Sequence, residues 1–243
     1  VSSVPAPPPV DGVVEPGPVT VSVAFCPCPP LLHPAVAGRA AADTARLRAA
    51  CAEAVDAMLS VRPEVVLVVG HDARGRFGAG DGGDLRGFGV DLTVPFAGRL
   101  RPGGRRTPLA LTLGAWLLGE AGHAGLCLGV GPDDLAGAFD GLPGPVGVLA
   151  MGDGTARRTA KAPGYLDEAA APFDAAVAAA LRAGDARALA GLDPAEGERL
   201  LASGVPTWRA LGAVLAGRPV TARLHAEQAP FGVGYLVADW VVR

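Results

Sequence analysis

Pro63-Glu64-Val65-Val66-Leu67-Val68-Val69-Gly70-His71-Asp72 sets five apolar residues in a row, four of them valine, just ahead of a glycine. No polar residue alternates with them, so a strand here has no face to give to water. Such a strand belongs in a parallel sheet covered on both sides. Upstream, Leu47, Cys51, Val55, Met58 and Leu59 repeat at helical spacing within 40–61, and Pro63 ends that helix. Before it, Val19 to Phe25 alternates towards a short strand. Strand, helix and strand in that order make a crossover unit.

Downstream, residues 72–106 form a long excursion rich in Gly, Arg and Asp, with one predicted strand, Gly87 to Val94. Long loops in compact domains tend to carry function. Thr107-Pro108 predicts an N-cap followed by Pro at the first helical position. Leu109, Leu113, Trp116 and Leu117 give that helix its apolar face, and Gly122 is its stop. Gly125 to Val130 and Val146 to Ala150 read as core strands. Phe173, Val177 and Leu181 mark a further helix, and Thr207, Trp208, Leu211 and Leu215 a last one. Asp193-Pro194-Ala195-Glu196 has capping-box spacing between them. Val220 to His225 and Gly232 to Val242 are closing strands, open to an antiparallel arrangement. The expected fold is one α/β domain over 19–243, a mostly parallel central sheet with helices on both faces. Strands near 19–25, 64–70, 125–130 and 146–151 share the sheet. Residues 1–18, with Pro7-Pro8-Pro9 at their centre, read as an extended, poorly ordered arm.

Half of the 243 residues are hydrophobic and 19% are charged, enough for a substantial core. A net charge of -3 gives no broad cationic footprint, which disfavours nucleic acid as a partner. No apolar run is long enough for a membrane span, and no secretory signal pattern opens the chain. Four cysteines make no disulfide framework. Cys51 in a helical pattern and Cys127 in a strand-like run suit buried thiols in a reducing cytoplasm. Lys161 is the single lysine, and with the Ala and Gly excess it marks a GC-rich genome, not an arginine-specific function.

Ligands in open α/β sheets bind at the carboxyl ends of strands. Cys28 follows the first strand in Cys26-Pro27-Cys28-Pro29-Pro30, and His71 follows the second in Val69-Gly70-His71-Asp72. Ala156 lies just past the strand at 146–150 in Met151-Gly152-Asp153-Gly154-Thr155-Ala156-Arg157-Arg158-Thr159. Glu227 precedes Pro230-Phe231-Gly232-Val233-Gly234-Tyr235. Each residue also has a structural explanation. Cys28 suits a small core residue, His71 a loop histidine bonded to backbone, and Glu227 a solvated turn carboxylate. Asp153 and Thr155 suit turn-shaping side chains, and His33 and His225 capping or surface residues. His123 sits where it can meet the last carbonyls of a helix. Arg105, Arg106, Arg157 and Arg158 suit an exposed cluster or an anion patch.

The order of these motifs, with Ala162-Pro163-Gly164-Tyr165 leading to the Ala-rich helix after Pro172, resembles the class III extradiol ring-cleavage dioxygenases and their Memo-like relatives. The resemblance covers nearly the whole chain after the arm, and it implies the extradiol dioxygenase fold. It implies a ferrous iron held by two histidines and a glutamate, with Cys28, His71 and Glu227 at those positions. It makes Asp153, Thr155, Arg105 and Arg106 candidate substrate contacts. Two departures stand out. The family's acid/base histidine is Ala156 here, and Gly103, Gly104, Arg105 and Arg106 stand where a further histidine often precedes the Pro-Leu of the central helix. Cys28 as a thiolate would favour zinc or copper(I) over ferrous iron. A missing acid/base costs about 10²–10⁴-fold in rate. The expectation is a divergent homologue with a degenerate site, keeping a cleft for a small molecule or a partner. The alternative is an active metal-dependent oxidoreductase using Cys28, His71 and Glu227. Fold relatives often pair, so a homodimer is compatible with the apolar helix faces.

Overall fold

The computed structural model describes residues 20–140, 142 and 144–243; the arm at 1–18 and the first residue of the expected first strand lie outside them. In chain order the strands are β1 (Val21–Cys26), β2 (Val65–Gly70), β3 (Gly82–Asp84), β4 (Thr93–Pro95), β5 (Leu126–Val130), β6 (Val146–Met151), β7 (Val220–Gln228) and β8 (Tyr235–Val242). The helices are α1 (Pro34–Ala37), α2 (Ala45–Ser60), α3 (Leu109–Glu120), α4 (Leu135–Phe139), α5 (Ala170–Ala183), α6 (Ala186–Ala190), α7 (Pro194–Arg199) and α8 (Val205–Leu215). Six strands form one sheet in the order β5-β2-β6-β1-β8-β7, while β3 and β4 pair separately.

The apolar run at 65–69 lies where its composition requires. β2 is hydrogen-bonded to β5 and β6, parallel to both, and every residue of it is buried. β1 and β6 are also buried along their whole lengths and parallel to each other. Alternate residues of these strands feed two cores. Val23, Leu67 and Val148 pack under α4, α5, α6 and α8, among them Leu181, Trp208 and Leu211. Ala24, Val68 and Leu149 pack under α2 and α3, among them Leu47, Met58 and Leu113. The closing pair is antiparallel: β8 runs against β1, and β7 runs against β8 at the edge. The sheet is therefore mixed, four parallel strands with an antiparallel hairpin on one side.

Three local expectations need correction. The strand at 87–94 is present only at its end. Arg86–Phe88 is a 3-10 turn closed by Gly89 at φ 80, because the Asp84 carboxylate accepts the Arg86 N–H and bends the chain. Thr107 does not cap α3. Pro108 occupies the cap position, and the Thr107 hydroxyl lies 2.9 Å from that of Thr112. His225 is no surface residue. Its side chain is 2% exposed at a bulge in β7, with Nε2 2.6 Å from Asp239 and Nδ1 3.1 Å from Glu53 of α2.

Candidate functional site

The carboxyl ends of β1, β2 and β6 lie side by side, and the residues just past them define the site. Past β1, the Cys28 N–H donates to Asp153 Oδ1 at 2.7 Å. Past β6, Asp153 itself is anchored by its own N–H to Ser203 Oγ at 3.2 Å, while its carbonyl accepts the Gly204 N–H. Such close approach of the β6 end to the α8 entry needs glycine. A Cβ on Gly152 would sit 2.3 Å from the Gly204 Cα.

Burial pushes the Asp153 carboxyl up to about 7, against the opposing effect of the Cys28 N–H. Burial also raises the Cys28 thiol well above its ordinary value, with the Asp153 and Asp72 carboxylates adding to it. Tyr235, at the start of β8, is 2% exposed, and its phenol is raised by burial, by Asp153 and by Cys28. Cys28 is thus a neutral thiol at neutral pH, while Asp153 titrates in the range where a carboxyl can exchange protons.

Beside this cluster opens a groove of about 850 Å³. His71 from the end of β2 lines it, as does Ser203, whose hydroxyl accepts the Asp153 N–H. Its walls are Pro132 and Asp133 at the end of β5 and the segment from Pro194 to Ala213 across α7 and α8. The walls are mostly small and apolar, among them Ala202, Val205 and Ala210. His71 Nδ1 is enclosed and has no hydrogen-bond partner among the described residues. A large apolar cavity with a few convergent polar groups is the usual form of a small-molecule site. A second cleft of about 510 Å³, beside His123 and Trp116, lies at the amino end of β5, away from the strand ends that hold the cluster.

The expected ligand set does not assemble. Of Cys28, His71 and Glu227, only His71 lines the groove. Cys28 is 4% exposed and packed in the core under α2 and α3. Glu227 sits near the end of edge strand β7 and pairs with Arg182 of α5 at 3.5 Å. In the sheet order, four inter-strand steps separate β2 from β7, roughly 19 Å at the usual strand spacing. Among the described residues, no group of three or more His, Cys, Asp or Glu side chains is placed to hold a metal ion. A high thiol pKa and a glutamate already paired with arginine also make a poor ferrous donor set.

The expected substrate contacts divide. Asp153 belongs to the strand-end cluster. Thr155 is fully buried and acts as a brace, its N–H and hydroxyl each donating to the Asp174 carboxylate at 2.8 Å. Arg158 completes that carboxylate's shell at 2.9 Å. Arg105 pairs with Asp81 and lies over the Phe77 ring at 4.3 Å. Arg106 pairs with Asp84 at 3.2 Å, on a separate cleft that it shares with Asp72 and Arg74. Ala156 is held by backbone bonds, its N–H to the Leu200 carbonyl and its carbonyl to the Gly164 N–H.

The groove wall from α7 to the start of α8 is the least legible part of the site in the sequence. The capping-box spacing at 193–196 marks the start of α7, where the Asp193 side chain accepts the Ala195 N–H, but residues 197–206 show neither a helical nor an alternating repeat, so the tight contact of α7 with α8 has no periodic signal. One signal was present: Gly197 lies against Val205, where a Cβ would come within 2.8 Å of the valine side chain. Asp174 carried another, as a lone carboxylate in the Ala-rich sequence of α5. No protein-family model matches this chain, and no curated protein matches it.

Proposed function

We propose that this chain is a divergent relative of the class III extradiol dioxygenases that no longer cleaves catechols and instead binds a small molecule at the carboxyl edge of its sheet. The reading is carried by one observation: the groove of about 850 Å³ opens at His71, whereas the other two expected iron ligands lie elsewhere. The motif order along the chain and the parallel strands β5, β2, β6 and β1 support the family ancestry. Ala156 has no proton to give, and the buried Cys28 thiol and the Arg182-paired Glu227 do not suit ferrous iron. Fold does not carry activity with it, so the loss of these groups outweighs the ancestry.

The test is oxygen uptake with protocatechuate and related catechols after anaerobic reconstitution with ferrous iron. Uptake at the rate of the no-enzyme control is the expected result. Robust consumption coupled to a yellow ring-opened product overturns the proposal.

A further inference from the structure

We infer that the cleft at the amino end of β5 is the docking site of this chain's own proline-rich segment, Val4-Pro5-Ala6-Pro7-Pro8-Pro9-Val10. Two rings make a corner in this cleft of about 510 Å³. Trp116 of α3 and His33, the cap residue of α1, lie 4.9 Å apart between ring centroids and are tilted by 57°. Pro95 and Ala97 add apolar wall. Burial lowers His33 and His123, so both are neutral at neutral pH, and Glu120 is the only charged group among the lining residues. The polar atoms that the corner offers are donors. His33 Nδ1 accepts the Ala35 N–H, so its proton sits on Nε2. The Trp116 indole N–H has no acceptor among the described residues, and neither this nitrogen nor His33 Nε2 is enclosed.

The segment is the chemical complement of that corner. It carries no charge, and from Pro5 to Pro9 only Ala6 has a backbone N–H. It therefore brings carbonyl acceptors in excess of donors. Consecutive prolines favour polyproline II, whose carbonyls have no internal partner and whose rings seat against aromatic side chains. Chain connectivity allows the meeting. β1, β6, β2 and β5 are parallel, so Thr20, just before β1, lies on the same edge of the sheet as the cleft. Three inter-strand steps, roughly 14 Å, separate β1 from β5. Residues 10–19 join Pro9 to Thr20, and ten residues reach about 31 Å at the polyproline II rise. A ligand on the same chain meets its cleft at an effective concentration on the order of millimolar, so modest contacts suffice.

Trp116 reports on its own cleft, because Trp208 and Trp240 are fully buried. Acrylamide quenching of the full chain is compared with that of the variant Pro7→Ser, Pro8→Ser, Pro9→Ser. The quenching slope should rise at least about twofold when the prolines are replaced. Equal slopes overturn the docking. Disulfide exchange with oxidised glutathione tests the place directly, since the four native cysteines are buried. Val10→Cys is paired either with Gly119→Cys, on the exposed rim where a Cβ meets nothing within 4 Å, or with Ser60→Cys. Ser60, exposed at the end of α2, lies nearer the root of the segment, because Ser22 of β1 donates to the Met58 carbonyl at 2.8 Å. A segment with no preferred place links faster to Ser60→Cys. Docking should make the link to Gly119→Cys roughly tenfold faster, and within one chain. An equal or faster link to Ser60→Cys, or a link that joins two chains, overturns the proposal.

Discussion

Two carboxylates, Asp174 buried and Asp153 half-buried, do different work in this molecule. Asp174 is fully enclosed but has three donors: the Thr155 N–H, the Thr155 hydroxyl and Arg158. Removing it strands a half-buried guanidinium and an enclosed hydroxyl together. Asp174→Ala should therefore cost about 3–5 kcal/mol in urea unfolding, and Asp174→Asn less, since its amide oxygen still accepts the Thr155 N–H. A loss below about 1 kcal/mol for the alanine variant would show that the brace is dispensable.

Asp153 has the opposite balance. Its carboxyl is pushed up to about 7 by burial, while in the unfolded chain it titrates near 3.9. Between those values the unfolded chain has released a proton that the folded chain keeps. Stability accordingly falls as pH rises from about 4 to about 7 and levels off above. The whole effect is at most about 4 kcal/mol, and partial exposure reduces it. Asp153→Asn should flatten this decline while still accepting the Cys28 N–H. Urea midpoints that fall equally in both proteins over that range would sink the assignment. At this scale the sequence singled out Asp153 as a turn residue past a core strand. Its raised pKa depends on burial beneath Ser203, Gly204 and Tyr235, which are distant in sequence.

Elements were legible where one period dominates. The buried runs at 65–69 and 146–150 allow only a covered parallel strand, and Val177 and Leu181 only a helix with one buried face. The excursion was not legible, since its strands β3 and β4 are three residues each and owe their form to hydrogen bonds with one another. The junction of β6 with α8 belongs to the same class. Gly152 and Gly204 cross with no room for a side chain, and a Cβ on Gly204 would lie 2.3 Å from the Trp208 ring. Gly152→Ala should therefore cost about 1–3 kcal/mol through overpacking. It should also loosen the groove, because Ser203, which lines it, and Gly204 are tied to Asp153 at the end of β6 by hydrogen bonds. Urea unfolding measures the first effect, and faster hydrogen exchange at the Gly204 and Asp153 amides measures the second. A neutral substitution would mean that the two backbones part easily and that the groove's floor is not rigid.

For the whole molecule, the sheet order decides what residue exchange can restore. Cys28 and Ala156 follow β1 and β6, neighbours at the centre, whereas Glu227 lies on β7, beyond β8 at the edge. Replacing Cys28→His and Ala156→His together supplies a nitrogen donor and a proton carrier near Asp153. The pair does not move Glu227 from Arg182, and it does not bring β7 towards β2. A ferrous site of the oxygenase type needs two histidines and a carboxylate on one ion, with metal–donor distances near 2 Å. The double variant should therefore bind no more iron than the parent after anaerobic reconstitution and desalting, and should remain without ring cleavage. Adding Arg182→Ala to free Glu227 should not change that, because the sheet, and not the ion pair alone, sets the separation. Iron at one equivalent per chain in the double variant, with oxygen uptake on a catechol, would show that the edge hairpin moves inward in solution. The degeneracy would then lie in two side chains and not in the architecture.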